Sequence, residues 1–175
     1  MRYSKRAVMA AACAFALVPA GAAVAGDGPA PAPSKSSKTA KSTAPSEAGN
    51  PASAKARVAG VCADAYQVGK TAYIDRAGAH VASVKQFYSK SCNENYGYLW
   101  VWDSFRKTSK DYDVSVGIYS YSQEDYFGTR MWTDHNGQEF WSDGADTVKD
   151  CTAAVGSLRR AGDPLAGQAA SQKMC

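Results

Sequence analysis

The sequence predicts an all-β domain: a small antiparallel β-sandwich or barrel held by two disulfides, with a disordered N-terminal tether. Three observations carry that prediction. Seventeen aromatic residues lie between Tyr66 and Trp141, and beyond position 25 none lies outside that span, so the core has to be there. Within it, apolar residues alternate with small or polar ones at period two, the pattern of a half-buried strand. Turn-forming clusters separate these runs at short, regular intervals, as in sandwiches and barrels.

Met1-Arg2-Tyr3-Ser4-Lys5-Arg6 is basic, Ala7–Val18 is apolar, and Ala23-Val24-Ala25 places small residues where a signal peptidase reads. This layout predicts a signal peptide over 1–25, cleaved after Ala25. The competing reading is a transmembrane helix, because the uncharged stretch Ala7–Ala25 approaches the ~20 residues a span needs. Pro19 and Gly21 interrupt it, and alanine rather than leucine dominates it. Cys13 lies inside the apolar run rather than just past it, which argues against a lipid anchor. Residues 26–57 are mostly Ala, Pro, Ser and Lys with no aromatic. Such a stretch buries too little apolar surface to offset the entropy of ordering, which predicts a disordered linker. Its lysines read as a solvated spacer, with contact to anionic wall polymers as the competing reading.

The domain is expected over 58–175. Strand candidates are Tyr66–Asp75, His80–Ser89, Tyr96–Trp102, Val114–Ile118 and Tyr126–Asp134. Gln138–Trp141 is expected to pair back across His135-Asn136-Gly137, since Asn-Gly favours the left-handed conformation of a tight hairpin. Asp75–Gly78 and Ser109–Asp113 read as turns. Asp146–Leu158 reads as one or two helical turns with Asp146 as cap. Ala161–Met174 reads as irregular.

With Cys13 lost to the signal, four cysteines remain: Cys62, Cys92, Cys151 and Cys175. An even number in a small exported domain predicts two disulfides, and sequence cannot choose among the three pairings. Cys62–Cys92 with Cys151–Cys175 closes the shortest loops. No Cys-x-x-Cys pair is present, and no metal or other cofactor is expected. Eight of the 20 basic residues and two of the 16 acidic ones precede position 58. The domain therefore carries 12 basic and 14 acidic residues, a net of −2. Such a charge gives no support to nucleic-acid binding.

Tyr96, Tyr98, Trp100 and Trp102 form a ladder on one strand face. Patterning favours a core layer. If Leu99 and Val101 face the core instead, the ladder is exposed and becomes a platform for sugar rings or another protein. The window Tyr96–Trp102 has neither charge nor proline, which also marks it for self-association. Catalytic candidates are few. His135 sits in the expected turn, and no nucleophile elbow, zinc-protease motif or phosphate loop occurs. A cavity holding His80 with a carboxylate in reach would favour a small hydrolase. Asp143, Asp146 and Asp150 lack the ligand series of a calcium loop and read as turn and cap residues.

Cys62-Ala63-Asp64-Ala65-Tyr66, the Phe87-Tyr88-Ser89 approach to Cys92, Trp132-Thr133-Asp134, Gly137, Phe140, Gly144, Cys151 and the terminal Cys175 form one frame. In that frame the chain resembles the small secreted actinobacterial proteins typified by spore-associated protein A, over about 60 to 155 plus Cys175. Tyr88–Cys92 also resembles an actinobacterial extracellular domain of unknown function. The resemblance implies an exported protein of the spore or cell surface and supplies no catalytic residues. The expectation is a secreted, non-catalytic surface or spore-associated structural protein without a membrane anchor after cleavage. Its partner would be cell-wall polymer or another surface protein. The alternatives are a carbohydrate-binding module using exposed aromatics and a small secreted hydrolase.

Overall fold

The computed structural model describes residues 42–175. The predicted signal peptide and the linker residues 26–41 lie outside the described residues. Among the described residues, eight strands form two antiparallel four-stranded sheets, as the alternation predicts. The first sheet has the order β1-β2-β3-β6, with β1 at Tyr66–Arg76, β2 at Ala79–Ser89, β3 at Glu94–Val101 and β6 at Glu139–Trp141. The second has the order β5-β4-β7-β8, with β4 at Tyr112–Ser120, β5 at Asp125–His135, β7 at Thr152–Arg160 and β8 at Gly167–Ala170. Two short helices, α1 (Ala54–Val58) and α2 (Asp103–Thr108), complete the elements.

Period-two alternation places Val84, Leu99, Val101, Val114, Val116, Ile118 and Leu158 in one core between the sheets. The sheets approach closely at two glycines. A Cβ on Gly97 would stand 2.8 Å from the Gly117 carbonyl oxygen, and one on Gly156 would stand 2.7 Å from Val84 Cγ2. Any larger residue at either position would push the layers apart.

Four expectations are corrected. Gln138–Trp141 does not fold back on β5: Phe140 pairs with Leu99 and Trp141 with Tyr98, so β6 joins the other sheet. Asn136-Gly137 carries the chain between sheets, held there by hydrogen bonds from Arg106 to the Asn136 carbonyl and from the Tyr112 hydroxyl to the Gly137 carbonyl. Asp146–Leu158 is not helical. Thr152–Arg160 is a central strand between β4 and β8, and its small inward residues Ala154 and Gly156 make room for the facing sheet. Ala161–Met174 is not irregular throughout, because β8 pairs with β7 and Met174 bridges Thr152.

The fourth correction concerns the linker. Residues 42–57 pack on the domain. Asn50 Nδ2 donates to the Ser42 and Ala44 carbonyls, closing a compact turn. Ser53 caps α1 by accepting from the Ala56 N–H at 3.0 Å, and Ser53 and Ala56 are fully buried. Composition underestimated this segment because its hold comes from polar hooks and two small buried side chains rather than from bulk.

Candidate functional site

The structure closes the aromatic ladder. Leu99 and Val101 do face the inter-sheet core, yet Tyr96 and Tyr98 on the opposite face are fully buried too. They join Phe87 and Trp141 in a second apolar cluster, with Trp100 half-buried against it. The cover is the segment 42–65, which contributes Ala56, Ala59, Val61 and Ala65. Polar hooks fix it. The Tyr98 hydroxyl donates to the Ser46 carbonyl at 2.6 Å. Buried Lys85 donates to the Glu47 carbonyl at 2.6 Å and pairs with its carboxylate at 2.8 Å. Ser53 Oγ and Trp141 Nε1 both donate to buried Glu139. Burial pushes the Tyr98 and Tyr96 phenols well above their usual range, the first with added repulsion from Glu139 and the second with help from Glu94. Trp102 leaves the ladder altogether. It follows the end of β3 and occupies the N-cap position of α2, half-buried. The four residues therefore form no stacking platform.

Among the described residues, the outer face of the second sheet is open. Ser115, Gly117 and Tyr119 of β4 point away from the core, in register with Ser157, Val155 and Ala153 of β7. Thr129 of β5 and Gln168 of β8 flank them. Ser115, Gly117, Val155, Ser157, Thr129, Gln168 and Tyr126 line a groove of about 430 Å³. Gly117 sets its floor, since a Cβ there would come 2.3 Å from Thr129 Oγ1. Ser115 and Ser157 share a hydrogen bond of 2.6 Å across the strands. Among the described residues, none that lines the groove carries a charge. One end is rimmed by tyrosines: Tyr119 lies 4.9 Å from Tyr126 and 5.1 Å from Tyr121 between ring centroids. Tyr126 and Tyr121 are exposed, and Lys173 sits over the Tyr121 ring. The signal for this face was the Ser115/Gly117 alternation inside β4, which marks an uncovered side without saying what lies across it.

The disulfides form as Cys62–Cys92 and Cys151–Cys175. Asp64 accepts from the hydroxyls of Ser89 and Ser91 at 2.6 Å each and from the Ser91 N–H, beside the first bridge. Those bonds hold its carboxyl down at about 2. His135 Nδ1 accepts from the Gly137 N–H at 2.8 Å, a turn role. His80 pairs with Asp75 across the β1–β2 hairpin and stacks on Tyr73. It also borders a cavity of about 200 Å³ that includes Ser104 and Thr108. Asp150 accepts from Ser120 and Gln123, and Asp143 lies 3.6 Å from Arg130. Among the described residues, no three His, Cys, Asp or Glu side chains converge as metal ligands, and no helix is long and apolar enough to cross a membrane.

Fold and site together define a disulfide-bonded antiparallel β-sandwich with one covered and one open outer face. Two disulfides mark an oxidising folding environment. No family model, curated protein or solved structure matches the chain.

Proposed function

We propose that this is an exported, non-catalytic surface protein whose open sheet face binds a neutral cell-surface polysaccharide. The observation that carries the reading is the groove over β4 and β7. Its hydroxyl and amide side chains match a polyhydroxylated ligand, its uncharged lining disfavours ionic ones, and exposed Tyr126 offers a ring face at one end. Export is supported by the signal-like leader and the two disulfides. The resemblance to the spore-associated protein A family favours a place on the spore or cell surface, where the domain acts in structure and attachment.

Native affinity electrophoresis of the oxidised protein in gels containing soluble neutral glucans, mannans or wall polysaccharide tests this. Retardation by at least one polymer, reduced in Tyr126→Ala, is the expected result. Unaltered mobility in all of them rejects the glycan ligand. Fractionating the producing cells tests location separately, and recovery from the cytoplasm alone rejects export.

One observation favours a second reading, a small hydrolase: His80 and Asp75 pair beside a cavity that includes Ser104. Both members of that pair are more than half exposed, at 55% and 59%, so solvent screens them. Turnover of an ester or glycoside that His80→Ala abolishes would move the assignment there.

A further inference from the structure

A second site lies at one end of the sandwich, independent of the polysaccharide reading. Pairing in β1 slips between Val68 and Ala72, so Gly69–Thr71 lift away from β2. Residues near the Cys151–Cys175 bridge fill part of the gap. Gln172 N–H donates to the Lys70 carbonyl, Lys70 N–H donates to Gln172 Oε1, and Met174 bridges Thr152 while lying against Gly69. What remains is a cleft of about 170 Å³, with apolar walls from Val68, Tyr88, Val148 and Met174.

The polar part of its lining is unfinished. Gln86 is 1% exposed and lines the cleft. Its Nε2 donates to Thr152 Oγ1 at 2.8 Å and to Asn95 Oδ1 at 3.2 Å, while Asn95 Nδ2 donates to Thr147 Oγ1. Among the described residues, Gln86 Oε1 has no partner. Turning both amides over would satisfy Oε1 and leave Nε2 unpaired instead, so either orientation leaves one end of a buried amide unmatched. A buried polar group without a partner is disfavoured, and such sites in native proteins call for an explanation.

We infer that this cleft binds a small neutral ligand bearing one hydroxyl on an apolar body of about six heavy atoms. A hydroxyl both donates and accepts, so it completes Gln86 in either orientation. The size fits: an apolar cavity of roughly 150 Å³ holds one benzene ring, while a water takes only about 30 Å³. Among the described residues, no basic side chain lines the cleft, and Asp150 borders it, which disfavours anions. The half-buried walls supply the apolar contact.

Titration of the oxidised full chain with phenol and, separately, toluene, followed by amide chemical shifts, tests the site. Phenol should shift Val68, Tyr88, Val148 and Met174. Toluene should bind roughly three- to tenfold more weakly, the worth of one neutral hydrogen bond. Gln86→Met should remove that preference. Val148→Trp, at a half-buried wall position outside the polar network, should fill the cleft and abolish both responses with an unchanged melting temperature. That variant decides the matter if Gln86→Met fails to fold. No localised shift with phenol, equal affinity for phenol and toluene, or full phenol binding by Val148→Trp would each overturn the assignment.

Discussion

The two sheets share one core but treat their outer faces in opposite ways. Outside β1-β2-β3-β6 lie Phe87, Tyr96, Tyr98 and Trp141, and this face is dry because residues 42–65 cover it. Outside β5-β4-β7-β8 lie Ser115, Gly117, Thr129, Ser157 and Gln168, and this face is open. The difference teaches that an aromatic ladder on a strand can be a covered core layer rather than an exposed platform. A continuous apolar layer of that size is unfavourable in water, so a small domain covers it with whatever chain is at hand. On the proposed reading, the face left for a partner is the one that water already tolerates. Stability should therefore reside on the first face and recognition on the second.

The sharpest way to break this contrast is Tyr98→Ala. It deletes a fully buried ring and the hook to Ser46, and urea denaturation should register a loss of about 3–5 kcal/mol. A loss under ~1 kcal/mol would mean that the cover contributes little. Gly49→Ala probes the cover from its own side. Gly49 has φ +85°, and a Cβ there would stand 2.3 Å from Phe87 Cζ. Strain and overpacking should cost about 1–3 kcal/mol by the same assay. On the open face, Tyr126→Ala should leave stability within ~0.5 kcal/mol and reduce polysaccharide affinity up to about tenfold. A large drop in unfolding midpoint there would erase the distinction between the faces.

The smallest expected effect is a pH dependence where the cover ends. Asp64 titrates at about 2 in the folded protein against an ordinary value near 3.8. Its stabilising bonds to Ser89 and Ser91 should therefore be intact above pH ~4 and fade as pH falls toward ~2. Melting curves of Asp64→Asn should show a shallower fall than the parent across that window. Identical slopes would remove Asp64 from the acid response.

Much of the sandwich could be read in advance. Tyr66–Arg76, Ala79–Ser89, Tyr112–Ser120 and Asp125–His135 lie within a residue or two of their expected positions, because alternation is a local signal that survives in the fold. The hairpin read at Asn136-Gly137 failed because local turn chemistry says how a chain bends, not which sheet it enters next. The helix read over Asp146–Leu158 failed because Ala153 and Ala154 suit a helix by propensity, while their packing between two neighbouring strands overrides it. The groove residues were visible only as outward positions in β4, with their partners on β5, β7 and β8 far away in sequence.

By itself, then, the sequence determined the all-β class, the position of the aromatic core and the presence of four cysteines able to form two bridges. Each of these depends on residue type and near-neighbour spacing. Only the tertiary structure decided that β6 crosses to β3, that residues 42–57 cover the ladder, and that the opposite face stays open. Those outcomes depend on contacts between segments far apart in sequence, such as Tyr98 with Ser46 and Ser53 with Glu139. Such contacts form only when the whole chain finds the arrangement that buries its apolar layers and leaves few polar groups unpaired.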